Sequence, residues 1–471
     1  MPQRQLRFIA PDDVIRKGLS EIRDRLGIPE TFAAEVVAAL DSVEPDLPDE
    51  DLTDIPFVTL DPPGSRDLDQ AMHLERRGDG YRVRYAIADV GAFVVPGSPL
   101  DEEARERGAT MYGPDMRSPL YPEKLSEGMA SLLPGQTRPA LVWTLDLDET
   151  GEPVEVDLRR AMVRSRNQHD YTSVQIQLDK GTASSIMRIL VEVGRLRRLL
   201  EEERGGVSLP IPDQLVVRVD GGWRLEYASP LPIEGWNAQI SLLTGMVAAK
   251  MIVDAGTGML RTLPPARTED VEWLRRVAKA LEISWPARVE YPELVRSLDP
   301  RIPAHTALLA EATSLFGGAG YQVLEHGEEP RPHSALATTY THATAPIRRL
   351  VDRFVGETCL HLGAGRSIPA WVAEALPSLP RIMAQARSRS GSYEAESLNL
   401  VEAAILTGHQ GQVFTGVVTE VDRTEPHGDV QLRDPAVHAR IEGADLVLGE
   451  EVEVRLVEAS VPDRRVVFTL A

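Results

Sequence analysis

Three aspartates within nine residues constrain this chain more than any other feature. They are Asp61, Asp67 and Asp69, in the run Thr59-Leu60-Asp61-Pro62-Pro63-Gly64-Ser65-Arg66-Asp67-Leu68-Asp69-Gln70-Ala71. The preceding Ile55-Pro56-Phe57-Val58 suits a short apolar strand, and the acids follow in a loop broken by Pro and Gly. In extended chain Asp67 and Asp69 leave the same face, and the Pro-Pro-Gly turn lets Asp61 fold back towards them. Carboxylates brought together at a strand end repel one another unless a hard cation sits among them. Mg²⁺ takes oxygen ligands and keeps positions open for water and phosphate, so it suits such a set. The spacing alone leaves a plainer alternative open, a solvated loop with local Asx turns in an acidic chain.

Two further blocks stand in order behind this one. The first is Pro122-Glu123-Lys124-Leu125-Ser126, running to Ser131-Leu132-Leu133-Pro134-Gly135. The second is Tyr340-Thr341-His342-Ala343-Thr344-Ala345-Pro346-Ile347-Arg348-Arg349-Leu350-Val351-Asp352-Arg353. Together the three blocks resemble the signatures of the ribonuclease II family, spread over most of residues 51–405. The resemblance implies a processive, hydrolytic 3′-to-5′ exoribonuclease that releases nucleoside 5′-monophosphates from single-stranded RNA. It implies two Mg²⁺ ions on Asp61, Asp67 and Asp69, with Mn²⁺ an open alternative. Asp69 is then the central catalytic acid and Arg348 neutralises the scissile phosphate. Tyr112 is the candidate for stacking on the last base. One departure matters: Gln70 stands where the family usually has a further Asp directly after the Asp-x-Asp pair. An amide brings no negative charge, so the second ion is expected to bind more weakly. A weakened or inactive RNA-binding homologue is the alternative that Gln70 keeps open.

Composition qualifies the reading. The net charge is −21 and the sequence pI about 5.0, which taken alone argues against a nucleic-acid partner. Binding is therefore expected to rest on local clusters, Arg348, Arg349 and Arg353 in one and Arg381, Arg387 and Arg389 in another. The single Cys359 excludes an internal disulfide framework and points to a reducing, cytoplasmic setting. No signal-like apolar run follows the first residues, and the longest apolar segment, Ile240 to Ala249, is short for a membrane span. A monomer is the default expectation for an enzyme that threads a strand.

The expected architecture is α+β and multidomain. Residues 1–50 carry two helices, 11–26 and 30–40, separated by Gly27-Ile28-Pro29. They suit a helix-turn-helix or a plain helical hairpin packed on its neighbour; the first option would suit a transcription factor, against which the acidic surroundings weigh. Residues 51–405 form the large mixed α/β RNB catalytic domain that the resemblance implies. Within it, strands are expected at 81–90, 141–147 and 154–158, and helices at 101–107, 186–200 and from 233 onward. Pro346 is expected in the first turn of a helix that aims Arg348 at a phosphate, and Arg349 is the better candidate for pairing with Asp352 one turn on. Phe316-Gly317-Gly318-Ala319-Gly320 lacks a phosphate-loop ending and is read as a turn. The short alternating strands from Gly411 onward suit an S1-type OB barrel over 408–471, which the resemblance makes an RNA-binding domain.

Overall fold

The alternating run at 81–90 forms the strand Gly80–Ala88, the middle member of a five-stranded closed barrel. The other members are Phe57–Asp61, Gln70–Arg77, Thr137–Leu147 and Pro153–Asp170. The structure is a computed structural model that describes residues 8–209, 211–422 and 424–471. The barrel closes through a parallel pair, in which Phe57–Asp61 lies against the far end of Pro153–Asp170 and Asp61 stands opposite Asp170. Sequence reading expected only Val154–Leu158 there, as one arm of a mixed sheet. The strand runs on because its far end pairs with the first strand, and along it the partly exposed Arg160, Met162 and Arg164 alternate with the buried Ala161, Val163 and Ser165. Closure leaves no edge, and Phe57, Tyr85 and Trp143 are fully buried.

Helices cover this barrel. Ser185–Glu203, Pro232–Ala255 and Leu350–Gly363 bury Leu190, Val193, Ile240, Leu243, Ile252, Phe354 and Val355 in one core with the strands. Pro232–Ala255 is long and apolar enough to cross a membrane by length and composition, contrary to the reading from Ile240–Ala249. Half of its most apolar window is buried inside the protein.

The N-terminal helices are Asp12–Leu26 and Ala34–Asp41, the second starting later than expected. The first packs on the long helix Leu379–Leu406, and the second on Pro99–Arg107. Ile15, Leu19 and Ile22 share a core with Leu400, Val401, Phe414 and Phe468, so the first helix is built into the rest of the protein. A separate helical core, formed by Leu274, Val277, Leu294, Leu308 and Leu309 between Thr268 and Ala312, was not foreseen. The C-terminal strands Val413–Val421, His427–Leu432, His438–Glu442, Glu451–Ser460 and Arg465–Leu470 close a second barrel, again with one parallel pair. The all-β C-terminal barrel of the expected α+β architecture is therefore present.

Candidate active site

The site grows from the turn between the first two barrel strands. Pro62 and Pro63 fix the backbone, Ser65 N–H donates to Pro62 O at 3.2 Å, and Gly64 takes φ +83°, which side-chain-bearing residues rarely adopt. The returning segment is clamped by Ser131 of the second sequence block. Its Oγ donates to Arg66 O at 2.6 Å and accepts from Leu68 N–H at 3.0 Å. Ala88 N–H donates to Asp69 O at 2.8 Å. These bonds carry the backbone past the barrel mouth and turn Asp69 inward.

The third block closes over it. Ile347 N–H donates to Asp69 Oδ1 at 2.8 Å, and Arg348 Nε lies 3.3 Å from Asp69 Oδ2. Arg348 lies in a tight turn before the helix, not within it, because Arg348 and Arg349 N–H both donate to Ala345 O and helical geometry begins only at Leu350. Asp352 builds that turn: its Oδ1 accepts from Thr344 and Ala345 N–H at 2.9 and 2.8 Å. Arg349 pairs with Asp352 at 2.8 Å, as expected, which leaves Arg348 aimed at Asp69.

Asp61, Asp67, Asp69, Gln70, Tyr112 and Arg348 line one cavity of about 600 Å³. Burial pushes the Asp61 carboxyl up to about 7 against the pull of Arg348, with Asp67 adding to the rise. Burial likewise pushes Asp69 up to about 8, opposed by Arg348 and the Ile347 N–H. Asp61 Oδ2 is buried without a hydrogen-bond partner. Asp67 is held differently: Arg117 binds its Oδ1 at 2.9 Å and Tyr112 donates to its Oδ2 at 3.3 Å. Arg117 also pairs with Glu127. Gln70 donates its amide N–H to Thr344 O.

Asp61, Asp67 and Asp69, the three expected carboxylate ligands, line the same cavity. Among the described residues, no three His, Cys, Asp or Glu side chains are grouped to hold a metal ion. Arg117 and Tyr112 engage Asp67, and Gln70 is uncharged. The donor chemistry still fits a hard cation, because two desolvated carboxylates, one with an orphaned oxygen, are what such an ion relieves.

The expected basic clusters are revised. Arg353 is buried against Asp101 at 2.8 Å, and Arg389 donates to the carbonyls of Glu106 and Arg107. Arg348 alone of the first cluster is exposed. Tyr112, on the short strand Met111–Tyr112, is 52% exposed, so its ring has a free face at the cavity. Sequence reading assigned no role to the helix from 233. Its Glu234, Asn237 and Ser241 line the cavity, with Asn237 donating to Tyr171 Oη at 3.0 Å and Ser241 bonded to Tyr85 Oη at 2.8 Å. Their three- and four-residue spacing, one polar stripe on an apolar helix, is the signal that would have found them.

A fold built on one barrel with an acidic turn, capped by a second barrel, defines a class, and comparison with known proteins identifies it. The RNB domain model matches residues 49–361, and the model of the RNase II-type exonuclease C-terminal S1 domain matches residues 412–471. The chain belongs to the RNB-domain family. It is 27% identical over 475 residues to Ribonuclease R of Escherichia coli (strain K12), covering 89% of this chain and 57% of that protein. The chain thus spans little more than half the length of that relative. Its fold is that of Mycoplasma genitalium RNase R, solved in complex with ribose-methylated single-stranded RNA, with a TM-score of 0.88 at 19% identity over 98% of this chain and 78% of the other. Yeast Ssd1, described as a pseudonuclease, is also similar, with a TM-score of 0.70 at 16% identity over 93% and 57% of the two chains.

Proposed function

We propose that this chain is a hydrolytic 3′-to-5′ exoribonuclease that shortens single-stranded RNA processively to nucleoside 5′-monophosphates. The observation that carries the reading is the meeting of the three sequence blocks at one cavity, where Asp61 and Asp69 are desolvated beside Arg348. That pattern is one of preorganised charge waiting for a partner. The similarity to Ribonuclease R supports the substrate class.

Asp61, Asp67 and Asp69 would hold the divalent ions. The chemistry supplied by bound Mg²⁺ is a water of lowered pKa and charge stabilisation at the leaving 3′ oxygen. Arg348, exposed and 3.3 Å from Asp69, places its guanidinium against the scissile phosphate, where a planar fork fits the oxygens. The Ile347 N–H keeps Asp69 in place while Arg348 changes partner. Tyr112 offers its ring to the terminal base, a contact any base satisfies.

Gln70 and the engagement of Asp67 favour a second reading, an RNA-binding homologue without hydrolysis, and the Ssd1 likeness shows that the fold does not decide between them. A time course on 5′-labelled single-stranded RNA across a Mg²⁺ titration does. Progressive shortening to a small limit product supports the exonuclease, with half-activation at high Mg²⁺ marking a weak second ion. Intact RNA at every metal concentration, with binding retained, establishes the second reading.

A further inference from the structure

A second cavity of about 460 Å³ adjoins the first, and Arg349 lines both. The wall between them includes Tyr340 on one side and His342 on the other, with ring centroids 5.6 Å apart. Three guanidinium groups face this second space, those of Arg261, Arg349 and Arg387. Arg349 is matched by Asp352. The other two have only backbone acceptors: Arg261 donates to Gly320 O at 3.2 Å and Arg387 to Ala319 O at 2.8 Å. Neither forms an ion pair among the described residues. The one carboxylate on the lining is Glu394, which is exposed.

Like charges confined to a cleft cost free energy that an anion recovers. A phosphate, with several oxygens to share, can accept from the planar forks of both arginines at once. The rest of the lining suits a nucleoside. Arg261 lies over the Tyr321 ring, 4.7 Å from its centroid, and Met383 and Pro380 supply an apolar wall. The volume lies in the range of small-molecule sites, roughly 300–1,000 Å³. The mouth is open to solvent where Ala384 and Arg387 are exposed.

We propose that this cavity binds a nucleoside 5′-monophosphate, its phosphate held between Arg261 and Arg387, and receives the product leaving the Asp69 cavity past Arg349. The assignment rests on the hydrolytic reading above for the source of its ligand. It places a released nucleotide off the path of the next phosphodiester.

The test is calorimetric titration of AMP, inorganic phosphate and an RNA decamer into metal-free protein, wild type and Arg261→Gln/Arg387→Gln. The expected result is AMP binding to the wild type that weakens at least tenfold in the double variant. Phosphate competes with AMP, and decamer affinity falls by much less than AMP affinity. Three results overturn the site: no AMP binding by the wild type, equal binding by both proteins, or decamer affinity lost as strongly as AMP affinity, which would make this a strand contact. Arg387 is exposed, so Arg387→Glu keeps the test decisive if the double variant does not fold. Intact RNA in the wild-type time course sinks the hydrolytic reading alone, whereas an unaltered AMP titration sinks the site alone.

Discussion

The barrel at 57–170 and the barrel at 413–470 each close five strands through one parallel pair, yet they treat buried carboxylates differently. At the first barrel mouth Asp61 has a buried oxygen with no partner, and Asp69 has one backbone donor and an arginine that is itself half exposed. At the second, the buried Glu402 accepts from Gln214 Nε2 at 2.7 Å and from His438 N–H at 2.8 Å. Both arrangements raise the carboxyl pKa, since burial pushes Glu402 up to about 7. The difference is satisfaction. A buried acid with its hydrogen bonds made joins a helix to a barrel, whereas one left short of partners beside an open cavity is poised to take a ligand.

Removing the unsatisfied charge is the most severe way to break this contrast. Asp69→Asn keeps the shape and an acceptor for the Ile347 N–H but loses the charge that faces Arg348 and, in the proposed function, holds a cation. We expect hydrolysis to fall by at least about 100-fold, with RNA affinity within a few-fold of wild type, in time courses and equilibrium binding. Near-normal turnover by this variant would remove Asp69 from the chemistry. Arg348→Gln is next. Its side chain makes no hydrogen bond that builds the turn, so the melting temperature should hold while kcat drops by about 10–100-fold. A loss confined to KM would assign Arg348 to ground-state binding instead.

Gln70 sharpens the comparison from the other direction. Gln70→Asp adds charge beside Asp69 but gives up the donor to Thr344 O. The Mg²⁺ needed for half-activation is expected to fall by several-fold, about 3 to 10, while stability drops by about 1 kcal/mol. An unchanged Mg²⁺ requirement would show that position 70 does not contact the ion.

Why the sequence revealed some of this and not the rest follows from what each bond depends on. Asp61, Asp69 and Arg348 were visible because blocks of adjacent residues carry them, and those blocks hold the turn and its clamp together. The capture of Asp67 by Arg117 was hidden, since it depends on how the short hairpin around Met111–Tyr112 packs over the loop. Arg353 looked like a phosphate ligand by its neighbours, but its helix turns it onto Asp101, over 200 residues earlier in the chain. The helical starts at 12, 99, 185 and 232 followed local patterns that the chain itself sets. The long closing strand did not, because its partner is the first strand of the barrel, more than a hundred residues upstream.

The smallest effect tests the satisfied acid. Glu402 has a folded-state pKa of about 7, above the unfolded value near 4.3, so the folded state holds its proton where the unfolded state has released it. Below about pH 4 both states are protonated and Glu402 contributes no pH dependence. Between about 4 and 7 stability falls as pH rises, by up to about 1.4 kcal/mol per unit, and above 7 the loss is complete. Asp429 adds to the rise, while Gln214 and the His438 N–H oppose it. Glu402→Gln removes the titration while keeping an oxygen for both donors. Its unfolding free energy should therefore depend less steeply on pH between 5 and 7 than that of the wild type, with RNA hydrolysis unaltered. Parallel wild-type and variant profiles in denaturant titrations would show that Glu402 is already solvated in the folded protein. A change in hydrolysis would instead couple the second barrel to the first, and erase the distinction between an acid that fastens the fold and acids that serve the site.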